Sequence, residues 1–368
     1  MRAASLLTRA TAAIDKGVIR IMESRHRRTA PKVTGRVLDA SAARADLIAL
    51  AADYNTGNLG TPSPVFPVPA LPAPAVTSVG GSGRGPLGTT VLDLAFVSEY
   101  EPFHPDARVA HAGARENATV HARWWTSGTG RPTITIIHGL GGGHHWVTAR
   151  AFVVPYWLRH GYDVAAFVLP HHAARAAAGA PLRWPSANPL VTNEGFGQAI
   201  HDLRALSLYL RSRGASAVGA FGMSLGGYTT ALWASIAGPS DPGGIDFAVA
   251  MIPAVSMAQL MWHHGESGPM RKRAAAAGIT EDLLVDAFAV HAPTTRPPRL
   301  TRDRLAIVAG RGDRITPADQ AEALAAHWGV DISWFDGGHL AQVGRADAFR
   351  AVRRQLGALP LTGREPRR

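Results

Sequence analysis

Cysteine is absent from this 368-residue chain, which excludes disulfides, thiolate metal ligands and a cysteine nucleophile. Long apolar runs are absent as well. The longest stretch, from Phe247 to Ala254, is broken by Pro253 and falls well short of the roughly 20 residues a spanning helix needs, so a soluble protein is expected. Near the start, Arg9, Lys16 and Arg20 interrupt every run that could form the apolar core of a secretory signal, and the expected location is the cytoplasm. Lysine is scarce, present only at positions 16, 32 and 272, so the net charge of +11 rests on arginine scattered along the chain. Scattered arginine without interleaved aromatics does not build a nucleic-acid surface, and no such partner is expected. What the chain does have is 46% hydrophobic residues, enough for a substantial core, in a length that fits one large domain or two ordinary ones.

Residues 3–24 read as a helix, with Leu6, Ala10, Ile14 and Val18 at four-residue spacing and Arg2, Arg9 and Lys16 on a neighbouring stripe. Such a helix can lie on a membrane surface. Asp15 and Glu23 dilute its positive face, which favours a helix docked on the protein body with a solvated basic edge and leaves peripheral membrane contact as the secondary expectation. A second helix is expected over about 37–53. Pro62, Pro64, Pro67, Pro69, Pro72 and Pro74 then stiffen the chain, and Gly80, Gly81, Gly83 and Gly85 follow. A boundary is therefore placed near residue 90, with a helical and Pro/Gly-rich extension (1–90) ahead of a catalytic domain (91–368).

From Val91 onward, short apolar runs at 133–137, 164–169, 218–222, 247–252, 305–309 and 332–335 alternate with helical stretches such as 146–160 and 198–213. Residues 93–96 and 118–125 read as antiparallel strands opening the sheet. This is the rhythm of βαβ units: an α/β fold with a mostly parallel central sheet flanked by helices and reactive groups on loops at the carboxyl ends of strands.

Gly222-Met223-Ser224-Leu225-Gly226 is a G-x-S-x-G sequence directly after an apolar strand and opening a helix over 225–236. Small flanking residues allow a sharp turn that projects the serine hydroxyl, and the helix N-terminus favours developing negative charge. With this context the chain resembles the α/β-hydrolase superfamily from about Val91 to the end. The resemblance implies that Ser224 is a nucleophile. It also implies that the loop His138-Gly139-Leu140-Gly141-Gly142-Gly143 supplies the Leu140 amide to an oxyanion hole shared with the Leu225 amide. The acid is placed in Gly310-Arg311-Gly312-Asp313, with Asp313 preferred and Asp336 as competitor, and the base is His339 of Asp336-Gly337-Gly338-His339. Asp336, three residues before His339 on a tight turn, is expected to bond backbone amides instead.

Gly139, Gly141 and Met223, beside these groups, are expected to border the substrate. Adjacent histidine pairs at 144/145, 171/172 and 263/264 point apart along the chain, so no metal site is expected. His144, His145 and His171 have two readings, lining the pocket mouth or serving as satisfied structural residues. Residues 254–300, with Met257, Leu260, Met261, Trp262 and Met270, correspond to a cap insertion, which either offers an adaptable apolar lining or simply packs onto the sheet. The function implied is a cofactor-free serine hydrolase of esterase or lipase type acting on a small-molecule or lipid ester. The same features fit acyl transfer to another acceptor; a peptidase and a non-catalytic lipid- or protein-binding scaffold are further readings.

Overall fold

The computed structural model describes residues 5–29, 40–80, 83–128, 130–186, 188–264 and 269–361. Arg2, Gly81 and the side chains of Glu23 and Met270 lie outside the described residues. In chain order the elements begin with α1 (Leu6–Thr29), α2 (Ala40–Asn55), β1 (Ala75–Ser78), β2 (Thr90–Val97), α3 (Arg108–Gly113), β3 (Thr119–Thr126) and β4 (Thr133–Ile137). They continue with α4 (His145–Ala151), α5 (Val154–Arg159), β5 (Asp163–Phe167), α6 (Pro189–Ser212), β6 (Val218–Met223), α7 (Leu225–Ile236) and β7 (Ala248–Met251). The last group is α8 (Met257–His264), α9 (Pro269–Ala276), α10 (Glu281–Phe288), β8 (Leu305–Gly310), α11 (Ala318–Trp328), β9 (Ile332–Phe335) and α12 (Arg345–Gly357).

The strands form one nine-stranded sheet in the order β1-β2-β3-β5-β4-β6-β7-β8-β9. The first three pairings are antiparallel and the remainder parallel. The parallel strands β4, β5, β7 and β8 are buried along their whole length, as expected of strands covered on both faces. Alternation along β4 shows why continuous apolar runs are required. Ile137 belongs to the core layer that holds Phe196 of α6, Leu232 of α7 and Leu324 of α11, whereas Ile134 and Ile136 belong to the opposite layer with Trp157 of α5 and Phe349 of α12. Each buried aliphatic or aromatic side chain contributes about 1.5–3 kcal/mol, so both helical layers are held by the same strands.

The stretch expected as one helix over 146–160 is two helices. Val153 adopts φ 52 between α4 and α5, and Pro155, in the first turn of α5, restricts the residues before it and lacks an amide donor. Strand β1, not anticipated, is an exposed edge strand paired with β2, so the boundary near residue 90 falls between two hydrogen-bonded strands. Tyr54, Val65 and Phe66 of the extension sit in the same core as Leu94 and Phe196. Within the expected cap, Met257, Leu260 and Met261 pack on that core, and Ala287 of α10 is buried against Leu47 and Ala51 of α2. Among the described residues no helix is long and apolar enough to cross a membrane.

Helix α1 is docked with Arg9, Lys16 and Arg20 exposed, yet the docked face is not the apolar stripe. Thr8, Thr11, Ala12 and Asp15 are buried, while Leu6 and Ile14 remain 85% and 49% exposed. The surface that receives the helix presents the amides of Arg314, His339 and Leu340, which Asp15 satisfies and Leu cannot, while the Thr8 and Thr11 hydroxyls bond to Ser5 and to carbonyls of their own helix.

Candidate active site

Ser224 follows β6 and caps α7 with φ 58 and ψ −116, a conformation rarely adopted by a non-glycine residue. The flanking glycines are dictated by space. A Cβ on Gly222 would lie 1.8 Å from the Gly226 carbonyl oxygen, and one on Gly226 would lie 2.0 Å from that of Ile137. The turn is thus clamped between its own helix and β4, and the serine side chain remains partly exposed.

Asp313 and His339 follow β8 and β9, and the structure brings both to Ser224. His339 Nδ1 lies 2.8 Å from Asp313 Oδ2, and His339 Nε2 lies 3.0 Å from Ser224 Oγ. With the Nδ1 proton donated to the carboxylate, Nε2 is left to accept from the serine hydroxyl. Asp313 and His339 are only 2% and 8% exposed, which strengthens these bonds. Asp313 Oδ1 accepts from the amides of Ile315 and Thr316 at 2.9 and 2.8 Å, and the Thr316 hydroxyl lies 3.0 Å from Oδ2 and 3.1 Å from His339 Nδ1. Thr316 was missed in the sequence, although an aspartate followed at three residues by threonine, just before a helix, is a recognisable Asx-turn pattern.

The competitor Asp336 is elsewhere. Its carboxylate is 55% exposed and faces Arg311 at 3.9 Å, so the expectation that it bonds backbone amides is corrected: the loop is held by other groups. Gln342 does part of this, donating from Nε2 to the His339 carbonyl at 3.0 Å and to the Met223 sulfur at 3.3 Å, which ties the histidine loop to the strand that carries Ser224.

The loop after β4 passes beside the serine: a Cβ on Gly139 would lie 3.2 Å from Ser224 Cβ. Gly139 and Gly142 close a turn at 3.0 Å, with Gly141 at φ +72 within it. Among the described residues, neither the Leu140 nor the Leu225 amide is used in a turn or loop hydrogen bond. The loop is wrapped around His138, whose Nδ1 lies 2.8 Å from the Gly139 carbonyl and whose Nε2 accepts from the Leu169 amide at 3.0 Å. Cβ atoms on Gly142 and Gly143 would fall 2.9 and 3.0 Å from ring nitrogens of His138, so two of the glycines make room for the imidazole.

His144 is exposed at the start of α4; the His171 ring lies against Asn117, with Nε2 at 3.2 Å from its Nδ2; burial and then the Arg123 charge hold His145 down to about 4. Among the described residues, none of the three hydrogen-bonds to Ser224, Asp313 or His339.

Burial is the largest cause of the lowered values of His138, His291 and His171. It holds His138 and His291 down to about 3 and His171 to about 4, against about 6.5 in an unfolded chain. The unfolded state therefore binds more protons below pH 6.5, so the stability these neutral rings contribute is complete above that pH and is lost as pH falls toward 3. A urea midpoint that declines steadily from pH 7 to pH 4 is expected, and a flat profile would contradict the assignment of buried neutral imidazoles.

No protein-family model matches the chain. Two curated relatives, the uncharacterised protein Rv2627c of Mycobacterium tuberculosis strain H37Rv and its counterpart MT2702 in strain CDC 1551, are each 29% identical over 220 residues, 57% of this chain and 50% of theirs. The chain thus spans about half the length of the curated relatives it matches. Among solved structures, acetyl xylan esterase from Paenibacillus sp. R4 superposes with a TM-score of 0.54 at 12% identity, covering 88% of this chain and 96% of that one. Acetyl xylan esterase 1 from Thermoanaerobacterium sp. JW/SL YS485 gives 0.53 at 14% identity, covering 85% and 93%. With the sheet order and the strand-to-helix turn at Ser224, these likenesses establish the class: the chain has the α/β-hydrolase fold.

Proposed function

We propose that the chain is a serine hydrolase that cleaves carboxylic esters through an acyl-enzyme. The observation that carries this reading is the continuous hydrogen-bond relay from Asp313 through His339 to a serine held at positive φ. Ser224 Oγ attacks the acyl carbonyl while His339 Nε2 takes its proton, and the developing oxyanion is received by the amides of Leu140 and Leu225. Collapse breaks the ester bond, and His339 returns the proton to the departing alkoxide. Water, deprotonated by the same nitrogen, then attacks the acyl-enzyme, and the acid is released as the bond to Ser224 Oγ breaks and His339 returns the proton to that oxygen. Asp313 remains ionised throughout and stabilises the imidazolium without taking its proton.

Two solved neighbours named acetyl xylan esterases support an ester rather than an amide substrate. Leu140 and Leu340, 48% and 51% exposed beside the oxyanion loop and the histidine, support an apolar rim for the acyl or alcohol part. The test is rapid mixing with p-nitrophenyl acetate. A burst of nitrophenolate approaching one equivalent, with one acetyl group recovered on the peptide containing Ser224, is expected. Folded protein with neither burst nor acetylated serine would sink the reading.

A further inference from the structure

We infer that Asp15, on the N-terminal helix, is a positioning residue of the triad, a carboxylate that joins the acid loop to the histidine loop. This rests on the hydrolase reading for its catalytic consequence, but its geometry stands alone. Asp15 is fully buried. Its Oδ2 accepts from the amides of His339 at 2.8 Å and Arg314 at 3.1 Å, and its Oδ1 accepts from the amide of Leu340 at 3.2 Å. One carboxylate therefore holds the backbone of the base itself and of the residue directly after the acid, across 324 positions of sequence.

Burying a carboxylate costs several kcal/mol unless its oxygens are satisfied. Here three amide donors do so, and bonds to an ionised acceptor are roughly twice as strong as neutral ones. An apolar residue at this position would remove the acceptor those three amides share at a fully buried side chain.

The loops are shaped for the helix. A Cβ on Gly338 would lie 2.7 Å from Asp15 Oδ2 and 3.2 Å from the Thr11 carbonyl oxygen. One on Gly312 would lie 2.5 Å from Thr11 Oγ1 and 2.8 Å from the Thr8 carbonyl oxygen. Glycine thus stands, in each of two separate loops, where α1 makes its closest approach. The loops are also joined directly, through the Gly312 amide and the Gly337 carbonyl at 2.9 Å, so a shift of one carries the other. Gly338 thus admits the helix that fixes the histidine loop.

The test uses the full chain with Asp15→Ala, with Asp15→Asn as the milder variant should the first fail to fold, and with Lys16→Ala on the exposed edge of α1 as control. Two readouts are followed in folded protein: the low-field proton resonance of the His339–Asp313 bond, and steady-state kinetics on p-nitrophenyl acetate. In the wild type and in Lys16→Ala the resonance is expected, with normal rates. In the Asp15 variants it is expected to broaden or vanish. The kcat is expected to fall about 100-fold with KM within about twofold, as for a misplacement on the order of 1 Å at the reacting groups.

Asp15 variants that keep both the resonance and the rate would overturn the inference while leaving the hydrolase reading intact. A wild type that shows the resonance but neither bursts nor turns over would remove the hydrolase reading, and loss of the resonance in the variant would still uphold the clasp.

Discussion

Ser224→Ala is expected to abolish covalent labelling by a fluorophosphonate probe and to lower ester hydrolysis by roughly a million-fold in kcat, the loss found when a triad nucleophile is removed. Alanine retains the Cβ and so keeps the packing against Gly139 and the elbow between Gly222 and Gly226. The φ of 58 remains, and the strain stored there is unchanged, so the thermal midpoint should stay within a few degrees of wild type. Residual turnover would come from the oxyanion amides and binding alone. The measurement is gel-based labelling together with initial rates. A Ser224→Ala protein that still labels at the wild-type rate would place the reactive serine elsewhere and remove the proposed mechanism.

Asp313→Asn should cost about 10⁴-fold in kcat, with little change in fold. The orientation of the new amide is forced. The site of Oδ1 receives two backbone donors, from Ile315 and Thr316, so the amide oxygen must take that place and its NH2 group must face His339. Imidazole Nδ1 would then have to accept, which moves the ring proton to Nε2 and leaves nothing to accept from the Ser224 hydroxyl. Asp336→Asn is the internal control. Its carboxylate is half-exposed and only 3.9 Å from Arg311, an interaction worth little at the surface, so kcat/KM should change less than about twofold. Parallel determinations of kcat/KM on one ester check both, and equal losses in the two variants would contradict the assignment of Asp313.

The site was legible in part because some of its demands are local. Glycines at 222 and 226 are required by contacts within one turn and with the adjoining strand, and a short pattern records such a requirement. The parallel strands were legible because burial on both faces disfavours polar positions in the run, as in the six buried residues of β8, Leu305–Gly310. Helix α1 shows the opposite case. Its spacing of Leu6, Ala10, Ile14 and Val18 pointed to one face, whereas the face that docks carries Thr8, Thr11 and Asp15. Apolar periodicity identifies a docking face only when the receiving surface is apolar. Here it presents amides of two glycine-containing loops, those of Arg314, His339 and Leu340, and satisfying those groups outweighs exposing Leu6 and Ile14. Thr316 escaped for a related reason, since its hydroxyl acquires a role only when Asp313 and His339 close around it.

By itself, then, the sequence determined which loops stand at the carboxyl ends of the parallel strands and where the strained serine turn lies, because strand rhythm and steric clearance act over a few residues. Tertiary structure alone decided that His138 is the post around which the loop after β4 is wound and that Asp15 joins the acid and histidine loops, and it set Asp313, already preferred in the sequence, rather than Asp336 against the imidazole. Each of these depends on which buried donor finds which acceptor across 26 to 324 positions, and hydrogen-bond satisfaction at that range leaves no periodic mark in the chain.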